Sequence, residues 1–238
     1  MRSVLVLFGS ESDEYIYTDI LEYLKPNFKV NFKVLSVHRD SSKILELLKE
    51  DDFDFVLAGA GLGAALPGFC AAHTEKPVFG IPVPNCFGGL DAFLSIIQMP
   101  FEVPVGALSP KSISSLSSLL DEVDSKKSRV VNIVLSPDIE NHEYANQEYS
   151  LLADYALTLG IEIKRSSSVD EELMNIILVH TDDSHKVSNN ALYVPLLTKS
   201  EKNSPAFSIR LLNLIDYGGV WFGVNSPRNA LKFLNKLL

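Results

Sequence analysis

Four short stretches of the sequence hold residues that can do chemistry. Gly9-Ser10-Glu11-Ser12-Asp13 places two hydroxyls and two carboxylates directly after an apolar run. Free backbone N–H groups at the start of a helix there, together with the Ser hydroxyls, suit a phosphate, and Asp13 suits ribose hydroxyls. Ser10, Ser12 and Asp13 are equally good helix caps, which is the plainer reading of the same residues. Ser36-Val37-His38-Arg39 closes a second apolar run. It sets an imidazole that titrates near neutral pH beside a guanidinium that can grip phosphate or carboxylate. An exposed loop histidine is the plain alternative. Gly59-Ala60-Gly61-Leu62-Gly63-Ala64-Ala65-Leu66-Pro67-Gly68 lets backbone approach a ligand closely, or lets a helix pack tightly on a sheet. The fourth stretch, residues 88–100, reads by periodicity as a core helix opened by two glycines and stopped by Pro100.

Several chemistries are excluded. The glycine-rich loop follows the third strand of the chain, with no acidic residue about 20 positions on, so it is a poor nicotinamide fingerprint. No Gly-Lys-Ser/Thr is present for a standard P-loop, and no Cys/His spacing suggests a metal.

The elements that must position these stretches alternate. Apolar runs at 4–8, 28–37, 53–58, 78–83 and 105–108 read as buried strands, separated by amphipathic helices around 16–24, 42–48, 65–73, 90–98 and 113–123. A helix cap is expected at Ser41 or Ser42. Strand and helix repeated five times predict a doubly wound parallel sheet. Residues 124–128 read as a linker, after which the pattern restarts, with strands at 130–135, 161–165, 174–180, 191–196 and 220–224 and helices at 147–159, 207–214 and 227–238. The expectation is α/β: two tandem flavodoxin-like doubly wound domains, 1–124 and 129–238.

The halves look like copies of one unit. Pro82 aligns with Pro195, Ala92-Phe93 with Ala206-Phe207, and Ser109-Pro110-Lys111 with Ser226-Pro227-Arg228. The offset shrinks from Ser36 against Ser166 to Phe55 against Ile176 to Pro82 against Pro195. The second copy has therefore lost segments after its second and third strands, where ligands bind in this architecture.

Composition sets the outer bounds. The chain has 238 residues, 46% hydrophobic and 21% charged, which is ordinary globular composition. A net charge of −9 without a basic run disfavours nucleic acid and anionic membranes as partners. Apolar stretches are too short to span a membrane, and the N-terminal run is too short for a signal peptide. Two cysteines, Cys70 and Cys86, give no disulfide framework, so a reduced, cytoplasmic compartment is expected.

Taken together, Gly-Ser-x-Ser-Asp, Ser-x-His-Arg, Ala-Gly-Ala-Gly before Leu-Pro-Gly, and Leu-Ser-Ile-x-Gln-Met-Pro occur in the order and spacing of one enzyme family. Residues 3–122 resemble the class I PurE family, the 5-(carboxyamino)imidazole ribonucleotide mutases of purine biosynthesis. Gln-Met-Pro and Ala-Gly-Ala-Gly look like class I rather than the class II carboxylases. The resemblance implies that Ser10, Ser12 and Asp13 hold substrate phosphate and ribose. It implies that Ser36, His38 and Arg39 form the segment in which the His transfers a proton and the Arg holds phosphate, and that Ala60 and Gly61 close over the carboxylated imidazole. It further implies no metal or organic cofactor, a small ribonucleotide as partner, and a homo-oligomer, here a tetramer imitating the family's octamer.

One position departs. The family usually has His before Leu-Pro-Gly, where this chain has Ala65. His73, in the following helix, reads as a surface residue. The second half lacks the motifs: Leu135-Ser136-Pro137-Asp138, Ser166-Ser167-Ser168 and His180-Thr181-Asp182-Asp183 stand in their places, and Asp182 and Asp183 would repel a phosphate. The main expectation is a mutase domain fused to a degenerate, non-catalytic copy. The alternatives are a non-catalytic nucleotide-binding or regulatory protein, which Ala65 favours, and a carboxylase that uses free carbon dioxide on aminoimidazole ribonucleotide.

Overall fold

A computed structural model describes residues 1–136, 139–180 and 187–238. In the N-terminal half, β1 (Ser3–Phe8), β2 (Lys29–Val34), β3 (Phe55–Ala60), β4 (Val78–Pro82) and β5 (Gly106–Ala107) alternate with α1 (Glu14–Leu24), α2 (Val37–Glu50), α3 (Leu66–Ala72), α4 (Leu90–Ile97) and α5 (Ser114–Lys126). The C-terminal half continues with β6 (Val130–Leu135), α6 (Glu143–Thr158), β7 (Glu162–Ser166), β8 (Met174–Val179), β9 (Ala191–Pro195), α7 (Lys199–Lys202), α8 (Pro205–Ile215), β10 (Val220–Trp221) and α9 (Pro227–Leu237).

The ten strands of the described residues form one sheet in the order β2-β1-β3-β4-β5-β10-β9-β8-β6-β7. Each half has the flavodoxin-like order 2-1-3-4-5. The halves meet where β5 pairs antiparallel with β10, Trp221 opposite Ala107, while the other pairings are parallel. The carboxyl ends of the strands therefore face opposite edges of the sheet in the two halves. β3, β4 and β8 are buried at every position, as strands covered on both faces must be. The outermost strands expose charge instead: Lys29 and Lys33 on β2, Glu162, Lys164 and Arg165 on β7. Such edges discourage pairing with another sheet.

The seam is apolar. Phe233 of α9 meets Phe79 edge-to-face at 5.0 Å and Phe222 at 5.1 Å between centroids. Asn229, 4% exposed, clamps the turn after α4: its Nδ2 donates to Pro100 O at 2.9 Å, and its Oδ1 accepts from Glu102 N at 3.0 Å.

The structure corrects several boundaries, and the strands expected over 105–108 and 220–224 shorten to the two-residue β5 and β10. The strand expected over 28–37 stops at Val34, because its partner β1 ends at Phe8. Leu35 N makes the last bond, to Phe8 O at 2.8 Å. Ser36 then takes the N-cap position, and Val37-His38-Arg39 form a first helical turn rather than the end of a strand. Neither Ser41 nor Ser42 is the cap expected there: both lie inside α2, which breaks only at Asp40 (φ −123°, ψ 23°), whose carboxylate accepts from Ser36 N at 3.3 Å. α5 runs through Lys126, so the link between halves is shorter than residues 124–128 suggest. α6 begins a turn earlier than 147, at Glu143.

The halves differ most between their second and third strands. Residues 35–54, including α2, join β2 to β3, whereas only residues 167–173 join β7 to β8. Three buried asparagines tie down that short loop. Asn132 Nδ2 donates to Ser168 O at 3.0 Å and Asn175 Oδ1 at 2.8 Å, and Asn175 Nδ2 donates to Asp170 O at 2.9 Å. Asn190 Nδ2 donates to Asp170 O and Leu173 O at 2.9 and 2.8 Å. Buried amides need partners, and the loop carbonyls supply them. A counterpart of α2 would carry the equivalents of His38 and Arg39; none stands between β7 and β8.

Candidate functional site

Four loops at the carboxyl ends of β1 to β4 enclose a cavity of about 250 Å³. Parallel sheets bind ligands there because the crossovers leave open crevices and helix N-termini point inward.

The loop after β1 contributes Ser10, Ser12 and Asp13. Ser10 caps a short 3-10 turn: its Oγ accepts from Ser12 N at 3.2 Å and lies 2.8 Å from Ser12 Oγ. Asp13 is 1% exposed. Burial pushes its carboxyl above the usual carboxylate range, opposed by hydrogen bonds from Asn85, Ser12 and the Ser10 backbone. Of the three residues expected to cap the helix, Ser10 alone does so with its side chain, while Asp13 holds the N-cap position of α1 without a side-chain cap bond.

The second loop brings Ser36, which is buried, and His38 and Arg39, which are exposed, to the cavity wall. Their place in the first turn of α2, rather than on a strand end, projects two consecutive side chains from one short segment. After β3, Ala60 and Gly61 line the floor, followed by Leu62, Gly63 and Ala65. Gly63 has φ +57°, the left-handed region that favours glycine. The cavity thus holds an anion-binding guanidinium, an imidazole, a buried carboxylate and a floor in which Ala60, Gly61, Gly63 and Ala65 are small. That set can grip a phosphorylated sugar and move a proton on a flat ring beside it.

All eight residues singled out from the sequence line this one cavity: Ser10, Ser12, Asp13, Ser36, His38, Arg39, Ala60 and Gly61. His73 does not: it closes α3, with Nδ1 2.8 Å from Phe69 O. Sequence reasoning missed Asn85, in the loop after β4, whose Nδ2 lies 3.4 Å from Asp13 Oδ1. A polar residue just past a buried parallel strand was the available signal. Among the described residues no group of three His, Cys, Asp or Glu side chains could hold a metal ion. No helix among them is long and apolar enough to cross a membrane.

The corresponding loops of the second half differ. Ser136 follows β6, and Ser166 Oγ donates to Ser168 O at 2.7 Å. His180 Nε2 lies 3.1 Å from Glu201 Oε1. Pro137, Asp138, Thr181, Asp182 and Asp183 lie outside the described residues.

A family model described as AIR carboxylase matches residues 3–115. The chain is 37% identical over 115 residues to an N5-carboxyaminoimidazole ribonucleotide mutase of Saccharolobus solfataricus, covering 46% of this chain and 72% of that protein. It is 41% identical over 107 residues to the mutase of that name from Methanocaldococcus jannaschii, covering 44% and 68%. Against the Escherichia coli protein of the same name it is 38% identical over 113 residues, covering 44% and 66%.

Proposed function

The chain belongs to the AIR carboxylase family, and on that premise we propose that it is an N5-carboxyaminoimidazole ribonucleotide mutase of purine biosynthesis. The convergence of the Ser10–Asp13, Ser36–Arg39 and Ala60–Gly61 segments on one cavity carries this reading. Arg39, Ser10 and Ser12 hold the substrate phosphate, and Asp13 accepts from the ribose hydroxyls. Ala60 and Gly61 give the imidazole and its carboxylate a backbone-lined bed.

The reaction moves a carboxylate from the exocyclic nitrogen to the neighbouring ring carbon, giving 4-carboxy-5-aminoimidazole ribonucleotide. Breaking the N–C bond releases carbon dioxide and leaves the electron pair on the amine, which takes up a proton. Attack of the ring carbon on the trapped carbon dioxide forms the C–C bond and leaves that carbon bearing both hydrogen and carboxylate. A neutral imidazole at His38 removes the ring proton and restores aromaticity; the same proton balances the one delivered to the amine. Escape of carbon dioxide would uncouple the two halves of the reaction, so a small cavity that excludes water serves the chemistry. None of these steps calls for a metal or organic cofactor.

The second half is read as a spent copy of the same unit. It keeps the strand order and lacks the helix that would bear a second His-Arg pair. We place the enzyme in the cytoplasm as a closed homo-oligomer, a tetramer of two-half chains, for which light scattering is the direct check.

Purified protein should convert N5-carboxyaminoimidazole ribonucleotide to 4-carboxy-5-aminoimidazole ribonucleotide without ATP or metal. Turnover only with aminoimidazole ribonucleotide and bicarbonate would make it a carboxylase. Binding of either nucleotide without turnover would favour the regulatory reading, which has the replacement of His by Ala65 on its side.

A further inference from the structure

Asn85 stands apart from the family motifs, yet it touches three other segments around the site. Its Nδ2 donates to Asp13 Oδ1 at 3.4 Å, and its Oδ1 accepts from the Tyr15 hydroxyl at 3.2 Å. The carboxamide lies across Gly61: a β-carbon on Gly61 would stand 2.0 Å from Nδ2. One side chain from the loop after β4 thus links the loop after β1, helix α1 and the loop after β3. The other side-chain donor to Asp13, Ser12 Oγ, reaches the same oxygen at 3.5 Å and is itself drawn 2.8 Å from Ser10 Oγ.

We infer that Asn85 is a positioning residue for Asp13: it holds one carboxylate oxygen of a buried acid so that the group meets the substrate ribose ionised and in fixed orientation. A carboxyl that is 1% exposed loses most of its hydration, and donors within the protein must replace it. The groups that face Asp13 are Ser10 and Ser12 on its own loop, Tyr17 on α1 and Asn85 from the loop after β4, all uncharged at neutral pH. His38 and Arg39 line the same cavity. Among the described residues no cation is bonded directly to the carboxylate, and the Asn85 amide is the nearer of its two side-chain donors. The acceptor-only carboxylate calls for Nδ2, and Tyr15 tethers the other end of the carboxamide: its hydroxyl donates to Oδ1.

For its substrate readout this inference rests on the mutase reading, so the experiment has one arm that does not. In the first arm the Asp13 carboxyl is titrated by carbon NMR in the full-length protein, in Asn85→Ala and in the near-isosteric Asn85→Asp. Loss of the donor should raise the Asp13 pKa in Asn85→Ala, and a second carboxylate should raise it further in Asn85→Asp. In the second arm, KM for N5-carboxyaminoimidazole ribonucleotide should rise about tenfold in Asn85→Ala, with kcat held within about threefold. Tyr15→Phe, which removes the tether on Oδ1, should give a smaller shift in the same direction in both arms. An unchanged Asp13 titration in both Asn85 variants would overturn the inference whatever the kinetics show. A shifted titration in a protein that turns over neither nucleotide would sustain it while removing the mutase reading.

Discussion

Gly63 faces His38 across the mouth of the site: a β-carbon on Gly63 would stand 4.0 Å from the imidazole Cε1. That distance is ordinary van der Waals contact, so a methyl group fits there without collision. The backbone objects instead, because φ is +57°. Gly63→Ala should lower the stability of the protein by about 1–2 kcal/mol, read as a shift in urea midpoint, with a modest rise in KM. Gly61→Ala should do the reverse. Its new methyl would displace the Asn85 carboxamide, so KM should rise more than stability falls. Equal effects of the two changes on KM would contradict this division.

His38 and Arg39 are neighbours on one helical turn and should separate cleanly in kinetics. His38→Asn should lower kcat by about 10²-fold or more while substrate still binds, since only the proton transfer is lost. Arg39→Ala should weaken substrate binding by about 1.5–3 kcal/mol, the range of a hydrogen bond to a charged group, and leave kcat less affected. Near-normal kcat in His38→Asn would remove the imidazole from the mechanism.

Much of this site was legible before any coordinates, because its residues are local in sequence. Ser10 to Asp13, Ser36 to Arg39 and Ala60 to Gly61 each follow an apolar run, and parallel strands deliver such loops to one edge. Asn85 escaped because its partners, Asp13 and Tyr15, are remote in sequence and Pro84-Asn85-Cys86 carries no periodicity. The turn at Val37 was misread for a related reason: Val, Phe and Leu continue through 37, and only the length of the neighbouring strand β1 stops β2 at Val34. The single ten-stranded sheet was not legible either. It depends on one short pairing, Trp221 with Ala107, between strands of two residues each.

The raised pKa of Asp13 has a consequence for stability, with a definite sign. In the unfolded chain the group titrates near 3.8; in the folded protein burial lifts it higher. Between those values the folded state binds more protons, so stability falls as pH rises through that window and stays reduced above it. Asp13→Asn should therefore raise the melting temperature of the ligand-free protein at neutral pH. The gain should vanish as pH falls below 3.8, while affinity for the nucleotide is lost at every pH. Melting curves at several pH values test this, and a destabilised Asp13→Asn at neutral pH would refute it.

The second half should be required for the first to stay folded and soluble. Removing residues 129–238 would turn β5 into an unpaired edge of two residues, with no charged side chain on it to discourage association. It would also strip Phe233, which itself packs on Phe222, from Phe79, which is fully buried in the whole chain. The turn after α4 would lose Asn229, leaving Glu102 N without its side-chain acceptor and the Pro100 carbonyl with the Val103 N–H alone. Every residue lining the cavity lies before position 86, so the site itself would be untouched in sequence. The fragment 1–128 should nevertheless aggregate or misassemble in light scattering and lose activity. Asn229→Ala in the full chain isolates one part of this: it should cost about 1–3 kcal/mol by removing the side-chain bonds that hold this turn to α9, with KM unchanged. A soluble 1–128 fragment with full activity would show that the second half supports nothing in the first.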